Sequence, residues 1–146
     1  MDMLSDDQVR AVALSFATAL DRNDFDGATR LLASDCQYDL RAASLTNEGT
    51  LVGPDAIIAS HRAHDNRARR LFDRVEYWSA VESVDGTTAT ILFGDTLEKN
   101  GERHTYRCRQ RIRLNDFGTV ESIVQEDIPG EAAAVRLFMQ RVGVDL

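Results

Sequence analysis

The run His61-Arg62-Ala63-His64, followed by Asp65, sets two imidazoles one helical turn apart, and histidine titrates nearest to neutral pH. Asp127 is a carboxylate among Ile123, Val124 and Ile128, where a charge must either reach water or serve a purpose. Tyr38, Tyr77, Asp95, Gln110 and Gln125 add polar groups to stretches that alternate with apolar residues. A carboxylate near a histidine in a low-dielectric pocket is suited to proton transfer, because burial and the partner bring a pKa toward neutrality. We therefore take Asp127, His61, His64 and Tyr38 as the candidate catalytic residues, with Asp127 first. The plainer alternatives stand beside this: a half-exposed helix face for the histidines, core packing for the tyrosines, and a bulge beside Gly94 for Asp95. The histidine run with Asp65 imitates a metal motif, but no second carboxylate-rich segment accompanies it, so we expect no metal.

A second kind of chemistry is raised by GERHTYRCRQRIRL, residues 101–114, in which Arg103, Arg107, Arg109, Arg111 and Arg113 share one phase. The chain carries a net charge of −7 and a sequence pI near 4.9. Phosphate backbones would repel it unless its cations were strongly clustered, which argues against a nucleic-acid partner. The alternation reads instead as one strand with a buried face, His104, Tyr106, Cys108, Gln110, Ile112 and Leu114. The guanidinium groups then lie on the other face, hydrated or paired with Glu126, Glu98, Glu76 or Glu82. Cys36 and Cys108 are too few and too far apart for a zinc site or a disulfide framework, and we expect both reduced. The opening residues MDMLSDDQ lack the basic and apolar regions of a secretory signal, and no run of 18 apolar residues occurs. The expectation is a cytoplasmic protein with no membrane partner.

These residues need elements to position them. Ser5 and Gln8 form a capping box before Val9, Val12, Ala13, Phe16 and Leu20 at helical spacing. A shorter helix follows, carrying Phe25, Ala28, Leu31 and Leu32 and stopping near Ser34. Residues 35–42 alternate as a strand, with Cys36, Tyr38 and Leu40 on one side. Gly53-Pro54-Asp55 opens a third helix whose inward stripe is Ile57, His61, His64 and Ala68. From Arg74 onward, strands separated by DG, KNGE and NDFG turns predict an antiparallel meander, and a last helix at about 131–142 ends at Gly143. One domain spanning 1–146 is expected, of the α+β class.

FATALDRNDFDGATRLLASDCQYDL and GERHTYRCRQRIRLNDFGTV resemble the ketosteroid isomerase and SnoaL-like branch of the nuclear transport factor 2-like superfamily. The resemblance covers nearly the whole chain. It implies a cystatin-like cone, with N-terminal helices packed on a strongly curved, mixed, mainly antiparallel sheet around an apolar pocket. It also implies binding of a small apolar or aromatic ligand, and a homodimer formed through the convex sheet face, where Trp78, Leu92 and Val124 mix with Arg107, Arg109, Glu76 and Glu126. The steroid isomerases' carboxylate base, helix tyrosine and protonated aspartic acid fall by alignment on Leu40, Phe16 and Gln110. Leucine and phenylalanine carry no proton, so that mechanism is excluded, and only Gln110 keeps a donor, able to hold a developing oxyanion. The resemblance leaves cofactor-free cyclase, isomerase or dehydratase chemistry, or a non-catalytic ligand-binding or scaffolding module. Phe16, Leu40, Tyr77, Asp95, Tyr106, Cys108, Gln110 and Gln125 become the expected substrate-binding residues.

Overall fold

The computed structural model describes residues 3–46 and 48–145. In chain order the elements are α1 (Asp6–Asp21), α2 (Phe25–Leu31), β1 (Leu32–Asp39), β2 (Thr50–Val52), α3 (Pro54–Leu71), β3 (Arg74–Asp85), β4 (Thr88–Lys99), β5 (Glu102–Leu114), β6 (Val120–Asp127) and α4 (Glu131–Val142). The strands make one sheet in the order β2-β1-β6-β5-β4-β3, with β1 parallel to β6 and all other neighbours antiparallel. This is the expected α+β architecture. The ends of the expected domain, Met1, Asp2 and Leu146, lie outside the described residues.

Local sequence explains the boundaries. Ser5 Oγ accepts from the Gln8 amide at 3.1 Å and Gln8 Oε1 accepts from the Ser5 amide at 2.7 Å, the reciprocal capping box. Behind it, Val9, Ala13, Phe16 and Ala17 form the buried stripe of α1. The second helix ends at Leu31, three residues before the expected Ser34, because Leu32 turns extended and joins the sheet beside Val120. Strand β2 was not anticipated; three residues carry no readable alternation. Gly53, at φ 90°, turns the chain so that Pro54 can start α3.

The concave face of the sheet holds two cores. Phe16, Leu40, Ile57, Ile91, Ile112 and Ile123 belong to the first, under α1 and α3. Phe72, Val75, Leu97 and Tyr106 pack with Val135, Phe138 and Met139 of α4 in the second. On β5 the alternation holds: Tyr106, Gln110, Ile112 and Leu114 are buried, while all five arginines point outward and each meets an acid. Arg103 pairs with Glu76 at 3.4 Å, Arg109 with Glu82 at 2.7 Å and Arg111 with Glu126 at 2.5 Å. The expected Glu98 pairs with no arginine among the described residues. Its register partners Arg74 and Arg103 both turn to Glu76, while Glu131 and Glu121 take Arg107 and Arg113. Strand β6 separates Cys36 on β1 from Cys108 on β5, and both thiols are free. Among the described residues no helix is long and apolar enough to cross a membrane.

Candidate functional site

Between the concave face and the helices lies a cavity of about 270 Å³, walled by apolar residues such as Leu20, Phe25, Phe72, Phe93, Leu97 and Met139. Strand alternation decides which polar groups join them. On β4 the odd positions face inward, so Phe93, Asp95 and Leu97 reach the cavity; Tyr77 of β3 and Tyr106, Cys108 and Gln110 of β5 do likewise.

Asp95 sits in unbroken register between Tyr77 and Tyr106, and the irregularity in that strand pair falls instead between Val81 and Ser83. The bulge expected beside Gly94 is absent. Asp95 lines the cavity, and no donor among the described residues hydrogen-bonds its carboxylate. Burial raises its pKa from 3.8 to about 7, with the nearby charge of Asp21 adding to the effect. Near neutral pH this group is therefore poised both to accept and to release a proton.

Asp21 is the last residue of α1 and lines the same cavity. It accepts from Ser79 Oγ at 2.6 Å. Burial raises its pKa, and the Ser79 bond partly offsets that. A carboxylate at a helix C-terminus also meets the negative end of the helix dipole, and no basic residue occupies the last turn of α1. The two tyrosines flanking Asp95 stay protonated, their pKa values raised chiefly by burial. Tyr77 O–H donates to Asp65 at 2.7 Å, and Asp65 in turn holds Arg69 at 2.9 Å.

A second polar group lies toward β1. The Tyr38 hydroxyl donates to Gln125 Oε1, while Gln110 Nε2 donates to the Tyr38 oxygen at 2.9 Å and to Gln125 Oε1 at 3.2 Å. The His61 ring lies 5.5 Å from that of Tyr38, its Nε2 buried without a partner. Burial, helped by His64, lowers the His61 pKa to about 4, so the ring is neutral under physiological conditions. His64, expected inward, is exposed at the rim and pairs with Glu48 at 3.2 Å.

Asp127 is placed differently from the expectation. It does not line the cavity and meets no histidine. Its Oδ2 accepts from the Ser44 amide at 3.0 Å and from the Ser44 hydroxyl, and Tyr106 approaches Oδ1 at 3.5 Å. Arg136 of α4 donates to the Ser44 carbonyl at 3.0 Å. As the last residue of β6, Asp127 faces the returning loop between β1 and β2, so the carboxylate anchors that loop. Phe16 and Leu40, expected at the substrate, are 0% and 2% exposed and belong to the first core instead.

The sequence profile of the SnoaL-like domain matches residues 1–109. The chain belongs to the SnoaL-like domain family. No protein of curated function matches it in sequence. Solved structures of the same fold include TerC co-crystallised with polyporic acid, at 12% identity and TM-score 0.67, covering 91% of this chain and 98% of that one. A polyketide cyclase candidate from Xanthomonas campestris pv. campestris matches at 14% identity and TM-score 0.64, covering 94% of this chain and 98% of that one. A ketosteroid isomerase candidate from Kribbella flavida matches at 20% identity and TM-score 0.61, covering 86% and 85%. At these identities the likeness is one of fold.

In this SnoaL-like chain the fold gathers Tyr38, His61, Tyr77, Asp95, Tyr106, Cys108, Gln110 and Gln125 around one cavity, with His64 at its edge. The sequence reading missed Asp21 and Ser79, and it noted Asp65 only beside the histidine run, not as the acceptor for Tyr77. Asp21 did carry a signal: an acid closing an amphipathic helix that has no base in its last turn.

Proposed function

We propose that this SnoaL-like protein is a cofactor-independent acid–base enzyme of the isomerase, cyclase or dehydratase type, acting on a small, largely apolar molecule, with Asp95 as the proton carrier. The observation that carries the reading is a carboxylate lining a mostly apolar cavity with no hydrogen-bond donor among the described residues, its pKa raised by burial to about 7. Such a group is costly to keep for packing alone and has the protonation balance that general acid–base catalysis requires. Tyr77 and Tyr106, uncharged on either side of it, keep the surroundings apolar enough to sustain that balance. TerC's complex with polyporic acid supports small-molecule binding by this fold. The steroid isomerase arrangement is not reproduced, since Leu40 and Phe16 stand at two of its three positions and are packed in the core. We further propose that the chain works as a homodimer through the convex sheet face, where the indole of Trp78, 38% exposed, lies over Gly94 among the arginine–glutamate pairs.

Exchange of the α-protons of 2-tetralone for deuterium, followed by NMR, tests the chemistry with a generic apolar ketone. The expected result is protein-dependent exchange that rises with pH through about 7 and falls about 100-fold in Asp95→Asn. Equal exchange by Asp95→Asn and the unaltered protein would instead favour a binding module whose polar groups only orient a ligand.

A further inference from the structure

The cavity has a second polar pole that proton transfer at Asp95 does not use. Gln110 is 4% exposed, yet its Oε1 is buried without a partner, and the buried Nε2 of His61 is also unpartnered. A buried polar atom left unpaired is costly to keep. Two such atoms, one on each residue beside the Tyr38 ring, mark a place on the cavity wall able to receive a polar group.

The distance between the poles sets the length of what fills them. Gln110 pairs across the sheet with Ile91, and Asp95 lies four residues farther along the same strand. At about 3.4 Å per residue this is roughly 14 Å of strand. Phe93 and Cys108, directly paired, occupy the apolar middle, and burial pushes the Cys108 thiol up to about 12, so it stays neutral.

The second pole also has two self-consistent proton arrangements. In one, Tyr38 donates to Gln125 and Gln110 donates to both, which leaves Gln110 Oε1 free to accept. If both amides turn over, Tyr38 donates to Gln110, Gln125 donates to both, and Gln110 is left with a free N–H. The pole can therefore receive a hydroxyl or a carbonyl. An anionic group fits poorly, because the titratable groups facing the cavity include Asp21, Asp65 and Asp95, and the one guanidinium among its lining residues, that of Arg67, is at the exposed rim beside the imidazole of His64.

We propose that the ligand is an elongated, uncharged, mainly apolar molecule that spans the cavity and places a hydroxyl or carbonyl oxygen against Gln110, Gln125, Tyr38 and His61, away from the reacting end at Asp95. This rests on the reading of the cavity as a small-molecule site and deepens it by naming the class of molecule.

Calorimetric titration with 4-phenylphenol and with its methyl counterpart 4-methylbiphenyl tests the proposal. The unaltered protein should bind the phenol about tenfold more tightly or better, the worth of one buried hydrogen bond to a satisfied partner. Gln110→Leu should erase that preference. Gln125→Leu, at a less buried position, should reduce it independently if the first variant does not fold. Asp95→Asn should keep it. Equal binding of the two probes, no binding of either, or a preference that survives both glutamine variants would overturn the proposal. If the preference follows the glutamines while 2-tetralone exchange does not depend on Asp95, the proton-transfer reading fails and the ligand class stands.

Discussion

Two groups at the cavity wall with opposite shifts dominate the residue scale. Asp95 has a pKa of about 7 in the folded chain against 3.8 for the free group, so between about pH 4 and 7 the folded state holds a proton that the unfolded state has released. Its contribution to stability therefore falls as pH rises through that window. His61 has a pKa of about 4 against 6.5, so over nearly the same window the unfolded state binds a proton that the folded state refuses. Its contribution falls as pH drops. Each slope is at most about 1.4 kcal/mol per pH unit, and they oppose one another. Urea midpoints measured from pH 4.5 to 7 should thus change little in the unaltered protein. Asp95→Asn should become steadily less stable toward acid, and His61→Gln steadily more stable. Parallel profiles for all three proteins would contradict both assignments. The residue scale is also where sequence reading stopped short. Asp127 and Asp95 share the inward phase of their strands, and alternation reports the face of a strand, not its depth or its neighbours. Only the tertiary return of the loop at Ser44 decides that Asp127 is an anchor.

At the scale of elements the sequence was far more legible. The capping box, the Gly-Pro helix start, the four-strand meander and the arginine face of β5 were all readable, because each is enforced by local hydrogen bonding or by a period that runs through a whole element. What escaped were features set by contact between elements: the early end of α2, the short β2 and the choice of Glu76 over Glu98. The pairing of β3 with β4 contains one such contact that is testable. Trp78 stands directly across from Gly94, and a Cβ at Gly94 would lie 2.1 Å from Trp78 Cε2. Gly94→Ala should therefore push the indole off the strand, costing about 1–3 kcal/mol of stability. Tryptophan emission should move to longer wavelength, and since Trp78 is the only tryptophan the signal is unambiguous. Unchanged emission and stability would show that the ring does not rest there.

For the whole molecule, the convex and concave faces divide the work. The convex face carries the paired charges, each worth little singly, together with the half-exposed indole. If that face joins two copies, light scattering at micromolar concentration should give twice the 16.3 kDa chain mass, and Trp78→Glu should return it to one. A single-chain mass for the unaltered protein would remove the dimer. The concave face carries the chemistry: of the three carboxylates that line its cavity, Asp95 alone accepts no hydrogen bond among the described residues, and it is the one placed to move a proton. The most direct test is to follow the side-chain carboxyl carbon of Asp95 by NMR across pH 3 to 9 in the intact, ligand-free protein. A midpoint of about 7, moving toward acid in Asp21→Asn, is the predicted result. A midpoint near the ordinary 3.8 of an aspartate would contradict the account.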